Sequence, residues 1–194
     1  MNGKEVRDKL KLFGMQNLML ETSLSKLEES GMEIGHVGTL SKQEIVDNDL
    51  FEMDIRMSAQ RMADFYVVYY CFENSVRRLI SGTLSEKYGA NWWDTKVPED
   101  IKREVKEKEE KEKDSVMSIR SEDPLSYTNF GELIPIIEMN WTDFADRLRS
   151  KKGVTETLGK FNQVRNVIAH SCELKEDEII RLKLIVKDWL RLQN

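Results

Sequence analysis

Apolar residues recur every three or four positions along most of this 194-residue chain, which is the period of an α-helix. Over residues 4–30 they keep this spacing, and Gly31 is a predicted stop. A wider apolar face runs through residues 53–84, where there is no proline. This face predicts one long helix over about residues 49–88, ended by Gly89.

The stretch between these two helices has a different pattern. Residues 31–40 hold three glycines, which is typical of a connection. Ser41 followed by Glu44 fits a capping box and predicts the start of another helical stretch. We therefore divide the chain into an N-terminal helical appendage, residues 1–48, and a helical bundle, residues 49–194.

A highly charged segment follows the long helix. Trp92 and Trp93 fall in a predicted loop, and Pro98 is well placed to begin a helix. Residues 102–114 then carry six basic and six acidic side chains, with opposite signs four positions apart. Since this segment is so poor in apolar positions, we expect a solvated helix that projects from the body.

The remaining third of the chain predicts shorter helices after a break around Pro124. Thr142 is the predicted N-cap of the second of them. In chain order the predicted helices are residues 130–139, 142–148, 154–170 and 176–192. The pattern as a whole therefore predicts an all-α protein.

Composition narrows the class of protein further. Hydrophobic residues make up 40% of the chain, which is enough for a core and too much for a disordered protein. Three prolines and ten glycines exclude collagen-like and proline-rich classes and disfavour an all-β fold. The net charge of −5 excludes a strongly basic nucleic-acid coat, but it is compatible with a local basic groove.

The sequence also predicts where the protein works. Cys71 and Cys172 are too few for a disulfide framework, and the charged N-terminus lacks the apolar core of a signal peptide. The longest dense apolar runs, such as residues 65–72, are far shorter than the ~20 residues of a membrane span. We expect a cytoplasmic protein with reduced thiols and no membrane partner.

One hexapeptide, RNVIAH at residues 165–170, carries candidate chemistry. His170 has a side chain that can move a proton near neutral pH, and Arg165 offers a permanent charge to a phosphate. Asn166 can orient either group or bind a ribose hydroxyl. These residues suit RNA cleavage by the adjacent 2′-hydroxyl, which leaves a 2′,3′-cyclic phosphate and a 5′-hydroxyl. This chemistry requires neither a metal nor another cofactor.

Helical geometry limits how the three side chains can meet. Asn166 and His170 are four residues apart and share a face, whereas Arg165 and His170 lie roughly 140° apart around an ideal helix. The long arginine side chain, a helix that ends near His170, or a second copy of the motif can close this gap. Each solution favours a site at a helix end, and the last places it at a dimer interface.

Three segments together resemble a known family. They are RNVIAH on the penultimate helix, YYCFENSVRRLISGTLSEKYGANWW, and YTNFGELIPIIEMNW. The chain resembles HEPN domains over about residues 60–192, and within them the subgroup named after the C-terminal domain of a yeast mRNA quality-control endonuclease. The resemblance implies a HEPN-like bundle of four or five helices, usually dimeric, here with an N-terminal helical extension.

The resemblance also implies an activity. Active HEPN members are metal-independent endoribonucleases, often toxins or phage-defence effectors, in which Arg165 and His170 would be the catalytic pair and Asn166 the usual polar neighbour. Glu73 matches the acidic residue that many members add on an early helix, with Arg77 to orient it. Other members bind RNA or a protein, such as an antitoxin or a defence complex, without cutting. A purely structural oligomerisation protein is the third interpretation.

Structural interpretations of the same residues remain open. Arg165 is then a surface side chain, and His170 interacts with the helix dipole. Glu73 and Arg77 would form an intrahelical salt bridge. Three tryptophans would anchor loops against the bundle rather than stack on bases. They are Trp92, Trp93 and Trp141. A zinc site is disfavoured because its candidate ligands show no paired spacing: His36, Cys71, His170 and Cys172.

Overall fold

The computed structural model describes residues 3–29, 50–116 and 118–193. Within these ranges the chain is helical and contains no strand, apart from an isolated bridge between Leu148 and Gln193. The all-α prediction is therefore confirmed. The predictions for Gly31, Ser41 and Glu44 lie outside the described residues.

The chain divides into two compact units, Met1–Leu50 and Phe51–Asn194. The described part of the first unit is helix α1, Gly3–Glu29. Several of its large apolar side chains are exposed, including Phe13 and Met19.

The second unit begins with the long helix predicted from the sequence, α2, Met53–Tyr88. Gly89 ends it with φ 66°, a left-handed conformation that a residue with a side chain rarely adopts. Every buried side chain of α2 comes at Phe72 or later, so its N-terminal half is largely exposed.

Helices α2, α5, α7 and α8 pack into a bundle, with α7 against both α5 and α8. Phe72 of α2 stacks on Phe161 of α7 at 3.8 Å between ring centroids, and Phe130 and Trp189 surround this pair. Short 3-10 turns occur at Gly89–Asn91 and Pro124–Tyr127. The helices after α2 are α3 (Trp92–Lys96), α4 (Glu99–Lys113), α5 (Phe130–Met139), α6 (Trp141–Phe144), α7 (Lys151–Ala169) and α8 (Glu176–Leu192).

Two local predictions are wrong. Trp92 and Trp93 lie in α3 rather than in a loop, and Trp92 is buried. Thr142 lies inside α6, whose N-cap is Asn140. Asn140 ends α5 and begins α6, and its buried side-chain amide donates to the carbonyls of Lys96 and Ile136, contacts that local spacing does not reveal.

Helix α4 is helical as predicted, but it packs against the body instead of projecting from it. Ile101 and Val105, one turn apart, are buried and form a short apolar stripe. Further along, Lys108 donates to the Tyr127 carbonyl at 3.2 Å, and Glu112 accepts from the Tyr127 hydroxyl at 2.6 Å. These partners come later in the chain, so charge patterning alone did not indicate them.

No helix in the described ranges is both long and apolar enough to cross a bilayer.

Candidate active site

Arg165 on α7 and Glu73 on α2 form an ion pair beside the core. Arg165 Nε lies 3.5 Å from Glu73 Oε2, and the other carboxylate oxygen, Oε1, accepts from Arg77 Nη2 at 2.6 Å. The side chains of Arg165 and Glu73 are only 22% and 10% exposed. Glu73 therefore lies between two guanidinium groups, one from its own helix at i+4 and one from α7.

Arg77 fixes Glu73 in place and ties a neighbouring turn to α2. Its Nη1 donates to the Leu125 carbonyl and, at 2.7 Å, to Thr128 Oγ1. Its Nη2 donates to the Thr128 carbonyl at 2.8 Å as well as to Glu73. Since the N–H groups of both Nη atoms are engaged, Arg77 is a positioning residue and not a phosphate ligand.

Tyr69 joins this cluster from one turn before Glu73. Its hydroxyl oxygen lies 3.4 Å from Arg165 Nη2, and its ring centroid lies 5.4 Å from the guanidinium carbon. Partial burial, and then the charge of Glu73, raise the pKa of Tyr69, although Arg165 opposes the shift. Tyr69 is therefore a neutral phenol at pH 7. Tyr69 falls within the apolar face of residues 53–84, and its spacing of four residues from Glu73 is the one signal in the sequence for its place in this cluster.

The outer edge of Arg165 keeps capacity for a ligand. Nη1 contacts Asn166 Oδ1 and Nη2 contacts the Tyr69 hydroxyl, both at 3.4 Å, which is longer than a strong hydrogen bond. Glu73 holds the inner edge at Nε. The two Nη groups can therefore turn to an oxyanion and bind it through two donors, while Glu73 keeps the guanidinium in place.

His170 is the first residue beyond α7 and its side chain is exposed. The N–H of Ser171 donates to the Ile168 carbonyl, and that of Cys172 to the Val167 carbonyl. This pair of bonds, with φ 57° at Ser171, is a Schellman ending of the helix. It turns the chain away and leaves the imidazole in solvent.

Asn166 links the two ends of the hexapeptide. Its side chain contacts Arg165, and its backbone carbonyl accepts from the His170 N–H at 3.1 Å. Within residues 50–116 and 118–193, no hydrogen bond or ion pair joins the side chains of Arg165 and His170. The structure thus brings Glu73, Arg77 and Arg165 together and leaves His170 apart at the helix end.

Two hollows lie along the flank of α2, and Tyr66 lines both of them. One hollow of about 360 Å³ lies between the N-terminal half of α2 and the end of α7, where Ile168 and Ser171 line it. The other, of about 220 Å³, contains Tyr69 and Glu73 in its wall, two residues that contact Arg165.

The remaining sequence candidates that the structure describes are two cysteines and three tryptophans. Cys71 and Cys172 are exposed free cysteines, and His36 lies outside the described residues. In the part of the chain that the structure describes, no group of three or more His, Cys, Asp or Glu side chains is arranged to hold a metal ion. Trp92 is buried and Trp93 and Trp141 are half-buried, so all three contribute to packing.

A family model described as Swt1-like HEPN matches residues 68–192. The match covers more than half of the chain and includes Glu73, Arg165 and His170. The chain therefore belongs to the Swt1-like HEPN family, a family of all-α domains whose members are commonly ribonucleases. The resemblance found in the sequence, including the subgroup, is confirmed. No curated protein and no solved structure matches the chain.

Proposed function

We propose that this protein is a metal-independent endoribonuclease of the cytoplasm that cleaves RNA through attack of the 2′-hydroxyl on the adjacent phosphate. One observation carries the proposal. Glu73 pairs with Arg165 at Nε, and the two Nη groups of Arg165 make only long contacts, each of 3.4 Å. Five residues later, the exposed His170 stands at the end of the helix. Membership of a family of common ribonucleases supports it.

The residues divide the work according to their chemistry. The Nη groups of Arg165 hold the scissile phosphate and stabilise the charge that develops as the 2′-oxygen bonds to phosphorus. His170 transfers the proton that the 2′-hydroxyl gives up or that the leaving 5′-oxygen takes. Asn166 orients both residues. The P–O5′ bond breaks, and the products are a 2′,3′-cyclic phosphate and a 5′-hydroxyl.

The proposal includes a homodimer. Among the described residues, no hydrogen bond or ion pair joins the side chains of Arg165 and His170, and a second copy can supply the complementary group. The N-terminal half of α2 offers a surface for such contact, because several of its apolar side chains are exposed, among them Met53, Met57, Val67 and Val68. A toxin or phage-defence role, held in check by an antitoxin or within a defence complex, fits such a nuclease.

A second candidate function is a module that binds RNA or a protein partner without cutting. The observation that favours it is the ion pair between Arg165 and Glu73, which already balances the arginine charge. The separation of His170 from Arg165 favours it as well.

Total RNA incubated with the pure protein in EDTA tests the proposal. We expect new 2′,3′-cyclic phosphate and 5′-hydroxyl ends with the wild type and none with His170→Ala. DNA and RNA with 2′-O-methyl groups should stay intact, because they lack the attacking hydroxyl. RNA that is bound but uncut by both proteins would favour the second candidate.

A further inference from the structure

Two exposed tyrosines stand on the flank of α2 next to the Arg165 cluster. Tyr66 and Tyr70 are 54% and 56% exposed, whereas other aromatic side chains of the bundle, such as Phe72, are buried in its core. They follow one another at i,i+4, their ring centroids are 6.3 Å apart and their planes differ by 33°. Two rings that both face solvent on one side of a helix form a platform on which another flat ring can stack.

The platform is next to the candidate phosphate site. The Tyr66 ring lies edge-on to Tyr69 at 5.5 Å between centroids, and Tyr69 in turn contacts the Arg165 guanidinium. One side chain therefore separates the platform from the group proposed to hold the phosphate.

The platform opens into the smaller hollow, whose volume is about 220 Å³. This is below the roughly 300–1,000 Å³ of sites for drug-sized ligands, so the hollow suits a single ring system rather than a whole nucleotide. Asn74 and Ser126 close its far side, and both are half-buried.

Asn74 gives the hollow a directional polar group. Its Nδ2 donates to the Tyr70 carbonyl at 2.8 Å. Because a carbonyl can only accept, this bond fixes the orientation of the amide and turns Oδ1 away from the helix as an acceptor. An acceptor in this position suits a base edge with an N–H donor.

We propose that Tyr66, Tyr70 and Asn74 form a nucleobase subsite, which stacks one base of the RNA beside the phosphate at Arg165. The inference deepens the proposed function and rests on it for the identity of the ligand. Tyr66 and Tyr70 supply stacking, and the Asn74 Oδ1 accepts from an N–H group of the base.

Binding of short RNAs to the full chain tests this subsite separately from catalysis. The measurement uses the His170→Ala protein in EDTA, so that the RNA stays intact, and oligonucleotides in which one position at a time is abasic. We expect one abasic position to weaken binding roughly 5-fold to 100-fold, the range for loss of a stacked base. The Tyr66→Ala and Tyr70→Ala proteins should bind the intact RNA more weakly by a similar factor. For these two proteins, removal of the base at the sensitive position should weaken binding little further.

Matched variants separate stacking from folding. Tyr66→Phe and Tyr70→Phe keep the rings and should bind like the parent protein, and Leu190→Ala, at an exposed apolar position on α8, should have no effect. Asn74→Ala should weaken binding of the intact RNA, and this loss should disappear when the sensitive position is abasic. Thermal unfolding of each variant checks that the bundle is intact.

The outcomes are distinct. Equal binding by Tyr66→Ala, Tyr70→Ala and the parent protein overturns the subsite even if the wild type cuts RNA. Tyrosine-dependent binding of one base supports the subsite even if the wild type does not cut, and then only the nuclease proposal falls. Absence of RNA binding by all proteins overturns both.

Discussion

Glu73 decides where the Arg165 guanidinium points, since it occupies the Nε edge and leaves the Nη groups outward. We expect Glu73→Gln to lower the free energy of unfolding by about 1–3 kcal/mol, because the substitution leaves two partly buried arginines without their shared carboxylate. Urea unfolding at pH 7 measures the change. Glu86→Gln is the control, because the Glu86–Arg147 pair is largely exposed and such pairs contribute about 0–1 kcal/mol. An equal effect of both substitutions would contradict this role of Glu73.

Tyr69 should make the stability of the protein sensitive to alkaline pH. Its pKa is raised in the folded state above the ordinary value of 10.0 by burial and by Glu73, so the folded state holds the phenolic proton more tightly than the unfolded chain. This contribution is complete below pH 10.0 and is lost as the pH rises through the higher pKa of the folded state.

Urea unfolding of the wild type and Tyr69→Phe across this pH range measures the contribution. We expect the wild type to lose more stability than Tyr69→Phe as the pH rises, since phenylalanine has no proton to release. The comparison cancels the contribution of Tyr127, whose pKa is also raised, in its case by donation to Glu112. Parallel curves for the two proteins would show that Tyr69 ionises freely.

At the scale of elements, Glu112 makes two polar contacts near the end of the charged helix α4. Glu112 accepts from the Tyr127 hydroxyl and pairs with Arg120 at 2.8 Å, and these two contacts, the first above all, lower its pKa. The carboxylate therefore stabilises the fold above the ordinary pKa of 4.5, and this contribution is lost as the pH falls through the lower pKa of the folded state.

We expect Glu112→Gln to be less stable than the wild type at pH 7, with the difference closing as the pH falls below the ordinary pKa of 4.5. Thermal unfolding over this pH range measures it. Glu110→Gln, an exposed position on the same helix, is the matched control and should follow the wild type throughout. A difference that stays constant with pH would mean that Glu112 acts by packing alone.

Periodicity predicted most of the helices well. The apolar spacing located α5 and α8 with the bounds observed, and it located α7 to within three residues. For α2 it predicted the observed end but a start about four residues before Met53. The start of α7 lies at Lys151 because the Ser150 hydroxyl accepts from the Gly153 N–H, a cap that the apolar pattern does not contain. The predictions for the shortest helices, α3 and α6, were inaccurate because packing and distant hydrogen bonds decide these helices.

The site was less accessible to sequence reasoning. Arg165 and His170 stand out because they share one short motif, whereas Glu73 lies 92 residues before Arg165 and no local pattern connects the two. Family resemblance supplied Glu73, but neither resemblance nor periodicity indicated that Tyr69 contacts Arg165. Contacts between α2 and α7 arise only from the packing of the bundle.

At the scale of the whole molecule, we predict a dimer through the exposed apolar side chains of α2. Light scattering should report about twice the chain mass of 22.7 kDa at concentrations of tens of micromolar. Met57→Glu should shift the protein to the monomer, because a charge in an apolar interface is costly. Ile119→Glu, at an exposed position outside α2, should leave the dimer intact. A wild type that is a strict monomer would contradict a site composed from two chains.

The most direct test of the central claim is the rate of RNA cleavage in EDTA by the wild type and three variants. We expect Arg165→Ala and His170→Ala each to be slower by roughly two or more orders of magnitude, the scale for losing one group that stabilises charge or transfers a proton. The double variant should be little slower than either, since the two residues act as one unit. Lys160→Ala, an exposed basic position on the same helix, should cut like the wild type. Equal cleavage by the wild type and His170→Ala would contradict the account, because the activity would then come from another site or another protein.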